Sequence, residues 1–105
     1  AGAAVGGERY APLHMLEASA NARCLDGSPF GYYHRPATTA ATATKWLVLL
    51  AGGGLCTSKH SCAQRQRTPL GSSKSWPPTF DVDSFPFTST AAYNHFREWN
   101  LVMVP

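Results

Sequence analysis

Two compact apolar runs stand out along the chain, KWLVLL at 45–50 and NLVMV at 100–104. Both are strand-sized, rich in β-branched and aromatic residues, and continuous rather than alternating. That pattern predicts strands covered on both faces, as in mixed or parallel sheets with helices on either side. The shorter stretch APLHMLE at 11–17 predicts a strand or one helical turn. CLDGSPFGYYHR at 24–35 places Asp26-Gly27-Ser28-Pro29 between two apolar pieces. Asp-Gly supplies a positive φ and Pro29 fixes the exit, so a hairpin is expected. PATTAATAT at 36–44 has no periodicity and reads as a solvated loop. The polar stretch 58–68 predicts a short helix capped by Ser58 and stopped by Pro69. Pro77, Pro78 and Pro86 predict loop across 76–89, and residues 91–99 could hold a helical turn. No repeat is visible.

Length adds a limit. One hundred and five residues allow one domain or part of one. Two central strands would leave unpaired backbone at their edges unless other strands joined them. The expectation is therefore an α/β chain with an incomplete mixed sheet and short helices, the first part of a larger domain. The start at Ala1 rather than Met predicts a processed or excised segment. Residues 1–10, opening with the small residues AGAAVGG, are expected to be flexible, and 11–105 to form the structured portion.

Composition excludes several classes. Charged residues are 14% and aromatic residues 11%, which argues against a disordered charged tail. No apolar run reaches the roughly 20 residues of a membrane-spanning helix. The net charge is +3 and the pI about 9.0, compatible with a polyanionic partner but not demanding one. Nine glycines and eight prolines imply much loop.

Three cysteines are present. Cys56 and Cys62 lie close together and read as a short disulfide in an oxidising compartment. Cys24 is then left as a free thiol or as half of a bond to a partner elsewhere. A cytosolic chain with reduced cysteines is the competing reading.

Four constellations could carry chemistry. Gly52-Gly53-Gly54 after the first apolar run would let backbone N–H groups approach a ligand, and early glycine-rich loops of this kind supply oxyanion-hole amides in α/β-type serine hydrolases. A tight turn without a ligand is the plainer reading. A phosphate loop would need a following Lys-Ser/Thr pair, and a dinucleotide loop G-x-G-x-x-G; neither is there. Cys56, His60 and Cys62, with His95 or Cys24 as a distant fourth, carry zinc-binding atoms. Their C-x3-H-x-C spacing matches no common structural zinc pattern, and no metal or other cofactor is expected. Lys59, Arg65, Arg67 and Lys74 with Trp76 and Phe80 could touch single-stranded nucleic acid, but charges so spread are more often a solvated face, and no nucleic-acid partner is expected. No serine lies in G-x-S-x-G, and His14, His34, His60 and His95 have no visible acid–base partner, so no catalytic triad can be assembled.

Several segments together resemble the pectin acetylesterase family, which also contains the Notum-type carboxylesterases. They are Pro12-Leu13-His14-Met15-Leu16, Cys24-Leu25-Asp26-Gly27-Ser28-Pro29, Gly31-Tyr32-Tyr33, the span from Trp46 to Cys56, the C-x5-C pair, Arg65-x-x-Thr68-x-x-Gly71-Ser72-Ser73-Lys74, and the closing WNLVMVP. The resemblance implies the N-terminal part of an α/β-hydrolase fold and ester hydrolysis by a Ser-His-Asp triad lying farther downstream. It implies Gly53 and Gly54 as oxyanion-hole amides, a Cys56–Cys62 disulfide, and a bond from Cys24 to a cysteine just beyond residue 105. It also implies a secreted, cell-wall-located, monomeric enzyme acting on an acetylated acidic polysaccharide such as pectin. A non-catalytic secreted binding module, an inactive relative, or a Notum-type protein/lipid-ester carboxylesterase are the alternatives. Ala51 stands where the family usually has Glu, and Leu55 where it usually has an aromatic residue.

Overall fold

The computed structural model describes residues 9–105. Five strands form one mixed sheet: β1 (Tyr10–Met15), β2 (Gly31–Arg35), β3 (Trp46–Leu50), β4 (Thr79–Asp81) and β5 (Asn100–Val104). Their order across the sheet is β3-β5-β2-β1-β4. Only β3 and β5 run parallel, with Leu47 opposite Leu101 and Leu50 opposite Val104. The other pairings are antiparallel, including Leu13 with Tyr33 and Tyr33 with Met103. The α-helix among the described residues is α1 (Lys59–Arg65). No helix among the described residues is long and apolar enough to cross a membrane.

Because side chains alternate across a strand, one face of this sheet gathers the core. Ala11, Tyr33, Val82 and Leu101 are buried, and Leu13, Leu47, Phe80 and Met103 pack against them. The Tyr33 hydroxyl donates to the Pro77 carbonyl at 2.8 Å, and its burial pushes the phenol pKa up. The Tyr33 and Phe80 rings lie 5.8 Å apart. The buried Arg35 donates from Nη2 to the Trp99 carbonyl at 2.6 Å.

The opposite face carries rings in a row. His14 stacks on Tyr32, and His34 on Trp46, each pair at 5.4 Å between centroids. Within this chain the cover expected on both faces of the first apolar run is present on one face. β3 is an edge strand covered on one face, with Trp46, Val48 and Leu50 exposed at 53%, 56% and 71%. A continuous apolar run marks a strand, but its cover comes from elements remote in sequence. The second run behaves differently, because β5 is paired on both sides.

Other local expectations shift. The stretch 11–17 resolves as strand β1. The Asp26–Pro29 turn forms, with Gly27 at φ 85°, but it closes only a single bridge between Arg23 and Pro29 rather than a hairpin. The expected loop at 76–89 contains β4, paired to β1, and a 3-10 turn at Val82–Ser84. Residues 91–99 make successive tight turns and no helix. The Ala/Thr stretch is tied down by the buried Asn100. Its Oδ1 accepts the Ala37 N–H at 3.1 Å, and its Nδ2 donates to the Ala43 and Lys45 carbonyls at 2.9 and 3.2 Å.

Of the expected flexible segment 1–10, residues 1–8 lie outside the described residues. Tyr10 already belongs to β1, and Arg9 pairs with Asp81 at 3.1 Å.

Candidate oxyanion loop

Parallel strands leave a crevice at their carboxyl ends, where ligands of α/β proteins bind. β3 and β5 end together here, and the Ala51 N–H still reaches the Val104 carbonyl at 2.9 Å. The ladder then stops and Gly52-Gly53-Gly54 turns away. Gly54 adopts φ +76°, the left-handed conformation that a side chain disfavours. At Gly53 a Cβ would stand 2.8 Å from Leu70 Cδ2 and 3.2 Å from Arg65 Nη2. The two positions thus favour glycine for different reasons, one conformational and one steric.

The loop is pinned from below. Ser58 caps α1, accepting the Ser61 N–H at 3.0 Å, while Ser61 Oγ accepts the Ser58 N–H at 3.0 Å. This reciprocal box holds the first turn of a helix too short to be stable alone. Cys62 on that helix bonds to Cys56, as the spacing led us to expect. One turn further on, Arg65 Nη2 donates to the Gly53 carbonyl at 2.6 Å and the Gly54 carbonyl at 3.1 Å. The Gly53 and Gly54 carbonyls are therefore occupied. Its Gly53 and Gly54 N–H groups make no hydrogen bond to another described residue.

An open cleft of about 400 Å³ adjoins the loop. Cys24, Phe30, Leu70 and Trp76 line it together with the glycines and Arg65. Trp76 is braced by an edge-on contact with Phe30 at 5.8 Å and by its Nε1–H, which donates to the Pro69 carbonyl at 2.9 Å. Cys24 is a free thiol in this structure, with Sγ 3.6 Å from the Pro29 carbonyl.

Behind the cleft wall, the Asp26–Pro29 turn locks onto the Gly71–Ser73 turn. The Asp26 N–H reaches the Gly71 carbonyl at 3.1 Å, and the Ser73 N–H reaches Ser28 Oγ at 3.0 Å. The Ser28 and Ser72 hydroxyls and the Ser28 N–H hold the Asp26 carboxyl down to about 2. Serines 28, 72 and 73 are buried in this lock, which is a structural use of the C-L-D-G-S-P and G-S-S-K motifs.

The remaining candidates are not brought together. The disulfide removes both thiolates from the zinc reading of Cys56, His60 and Cys62. No group of three His, Cys, Asp or Glu that could hold a metal occurs among the described residues. The basic and aromatic set is dispersed: Arg65 serves the glycine loop, Lys74 Nζ sits 3.9 Å from Asp26, Trp76 packs on Phe30, and Phe80 joins the core. His14 and His34 stand on the open face of the sheet, and His95 packs on Phe96 and Trp99. In the sequence Arg65 reads only as part of a dispersed basic set, not as a support for the glycines. The available signal was its place three residues after Cys62, on the same helix face as the disulfide.

Known proteins share this architecture. A crystal structure of the Wnt deacylase Notum from Drosophila superposes with a TM-score of 0.70 at 34% identity, covering 92% of this chain and 27% of that one. The mixed sheet is accordingly part of an α/β-hydrolase fold. In sequence, the palmitoleoyl-protein carboxylesterase NOTUM of Schmidtea mediterranea is 35% identical over 99 residues, 92% of this chain. Pectin acetylesterase 11 of Arabidopsis thaliana is 33% identical over 100 residues, 93% of this chain. The chain spans 19% and 25% of those two proteins. It spans 69% of a shorter relative, the inactive palmitoleoyl-protein carboxylesterase notum1b of Danio rerio, at 35% identity. The family model described as pectinacetylesterase matches residues 7–105, and the chain belongs to that family.

Proposed function

We propose that this chain is the N-terminal portion of a secreted serine carboxylesterase of the pectin acetylesterase type. Its substrate is an acetyl ester on an acidic cell-wall polysaccharide, and it works as a monomer. In the complete enzyme a downstream serine, activated by His and oriented by Asp, attacks the acetyl carbonyl. The C–O bond to the sugar breaks, an acyl-serine forms, and water releases acetate. In both steps a negative oxygen develops on the former carbonyl. The Gly53 and Gly54 N–H groups donate to it, a contribution of about 3 kcal/mol per donor in comparable sites. Cys24 pairs with a cysteine of the downstream portion.

One observation carries this reading: a side-chain-free bend beside a cleft has its Gly53 and Gly54 carbonyls occupied and the amides of the same two residues without a partner among the described residues. That is the polarity an oxyanion needs. The disulfide fits an oxidising, extracellular setting.

The test is acetate release from acetylated pectin by the full-length protein, alongside the 105-residue chain. The full-length protein should release acetate and lose activity to a serine-reactive organophosphate, while the 105-residue chain should be inert. No release from acetylated pectin, with cleavage of a palmitoleoylated peptide instead, would move the substrate to a lipid ester.

A second reading, a non-catalytic relative, is favoured by the match to the shorter Danio protein named as inactive and by Ala51 and Leu55 at the loop's ends. Failure of the natural protein to take up a fluorophosphonate label would select it.

A further inference from the structure

We infer that Arg65 is a positioning residue for the oxyanion loop, setting the direction of the Gly54 N–H by holding the Gly53 carbonyl. This rests on the esterase reading above.

In a trans peptide the C=O and the following N–H point in opposite directions. Arg65 Nη2 lies 2.6 Å from the Gly53 oxygen, so the Gly54 N–H of the same peptide is turned away from the guanidinium. The same nitrogen reaches the Gly54 oxygen at 3.1 Å and so constrains the next peptide plane as well. Gly54 can occupy the left-handed region, but glycine also reaches many other conformations. Something outside the loop must therefore select this one, and the bond from Arg65 does so.

Arg65 is itself held. Its carbonyl accepts the Thr68 N–H at 3.0 Å and the Thr68 hydroxyl at 2.8 Å. Gly71 lies so close that a Cβ there would stand 2.4 Å from that carbonyl oxygen. The Cys56–Cys62 bond fixes the other end of the loop to the same helix. A rigid base thus presents a planar, permanently charged donor to two carbonyls. Lysine has the charge, but its ammonium is more strongly hydrated and sits on a flexible stem, so it would hold the two carbonyls less firmly.

The test uses the full-length protein with p-nitrophenyl acetate and a boronic acid inhibitor. The boronic acid forms a tetrahedral adduct that needs the same amides. Arg65→Ala should lower kcat about 10- to 100-fold, short of the 100- to 1,000-fold typical of deleting a donor outright, with KM unchanged within about twofold. The boronic acid should weaken by a similar factor, and Arg65→Lys should recover part of kcat. Gly53→Ala provides a second route: its Cβ would stand 2.8 Å from Leu70 Cδ2 and 3.2 Å from Arg65 Nη2, crowding the guanidinium while leaving Arg65 in place, and it should lower kcat as well. A wild-type protein without esterase activity would remove the underlying reading. An active wild type whose Arg65→Ala and Gly53→Ala variants fold and keep kcat and boronate affinity within twofold would overturn the positioning role alone.

Discussion

The Ser28 hydroxyl donates to Oδ1 of Asp26 at 2.5 Å, and the Ser28 N–H reaches the same oxygen at 2.9 Å. Both bonds favour the ionised carboxylate, and with the Ser72 hydroxyl they bring its pKa down to about 2. In the unfolded chain the same group titrates near 3.9, about the ordinary Asp value. Below that value the unfolded state binds the extra proton first, so stability falls as pH drops from about 4 toward 2 and is complete above about 5. Asp26→Asn should lower the thermal midpoint at pH 7, and its deficit should shrink through that acid window. Lys74 lies 3.9 Å away with its side chain 78% exposed, so Lys74→Ala should change stability by less than about 0.5 kcal/mol. A deficit for Asp26→Asn that is constant from pH 7 to pH 2 would contradict this account.

The disulfide closes a short loop between residues six apart in sequence. Chain-entropy reasoning assigns such a loop about 2 kcal/mol. Replacing both Cys56 and Cys62 by Ser should cost that much in denaturant unfolding. It should also speed hydrogen exchange at Gly52–Leu55, because the loop then keeps only Arg65 as its anchor. Unchanged exchange there would mean that the bond stabilises α1 without holding the loop.

What the sequence made legible follows physical range. The glycine bend, the Ser58 cap and the Cys56–Cys62 bond depend on neighbours within a few residues, and each was visible in the chain. β4 was not. Its three residues sit between prolines, are too few to show a period, and become a strand only by pairing with β1, as Tyr10 with Asp81. The exposure of β3 was hidden for a similar reason, since an apolar run records what a strand can bury rather than what lies over it. Arg65 looked like one more surface charge because its role depends on which carbonyls the loop turns toward it.

Asn100 shows how much one buried polar residue can organise. It satisfies the Ala37 N–H and the Ala43 and Lys45 carbonyls, and His34 Nε2 lies 3.4 Å from its Oδ1. Asn100→Leu has similar bulk but would leave the Ala37 N–H and the Ala43 carbonyl without this partner, while the Lys45 carbonyl keeps the N–H of residue 100 at 2.9 Å. Each unsatisfied buried group costs about 1–3 kcal/mol, so a total loss of about 2–4 kcal/mol is expected from denaturant midpoints. Asn100→Asp keeps one acceptor but sets a negative charge against two carbonyls, and should cost at least as much. A loss below about 1 kcal/mol for both variants would show that the loop reaches water instead.

Leu50 and Leu101 belong to adjacent parallel strands, yet one is 71% and the other 2% exposed. If the sheet has the one covered face described here, the two leucines must differ sharply on truncation. Leu101→Ala should cost about 2–5 kcal/mol, the usual range for a core leucine. Leu50→Thr in the 105-residue chain should stay within about 0.5 kcal/mol, as for surface positions generally. It should also lower the binding of a hydrophobic dye, because Trp46, Val48 and Leu50 form an exposed apolar strip. Equal costs at the two positions would mean that the outer face of β3 is buried in the protein, and that the edge-strand arrangement is wrong.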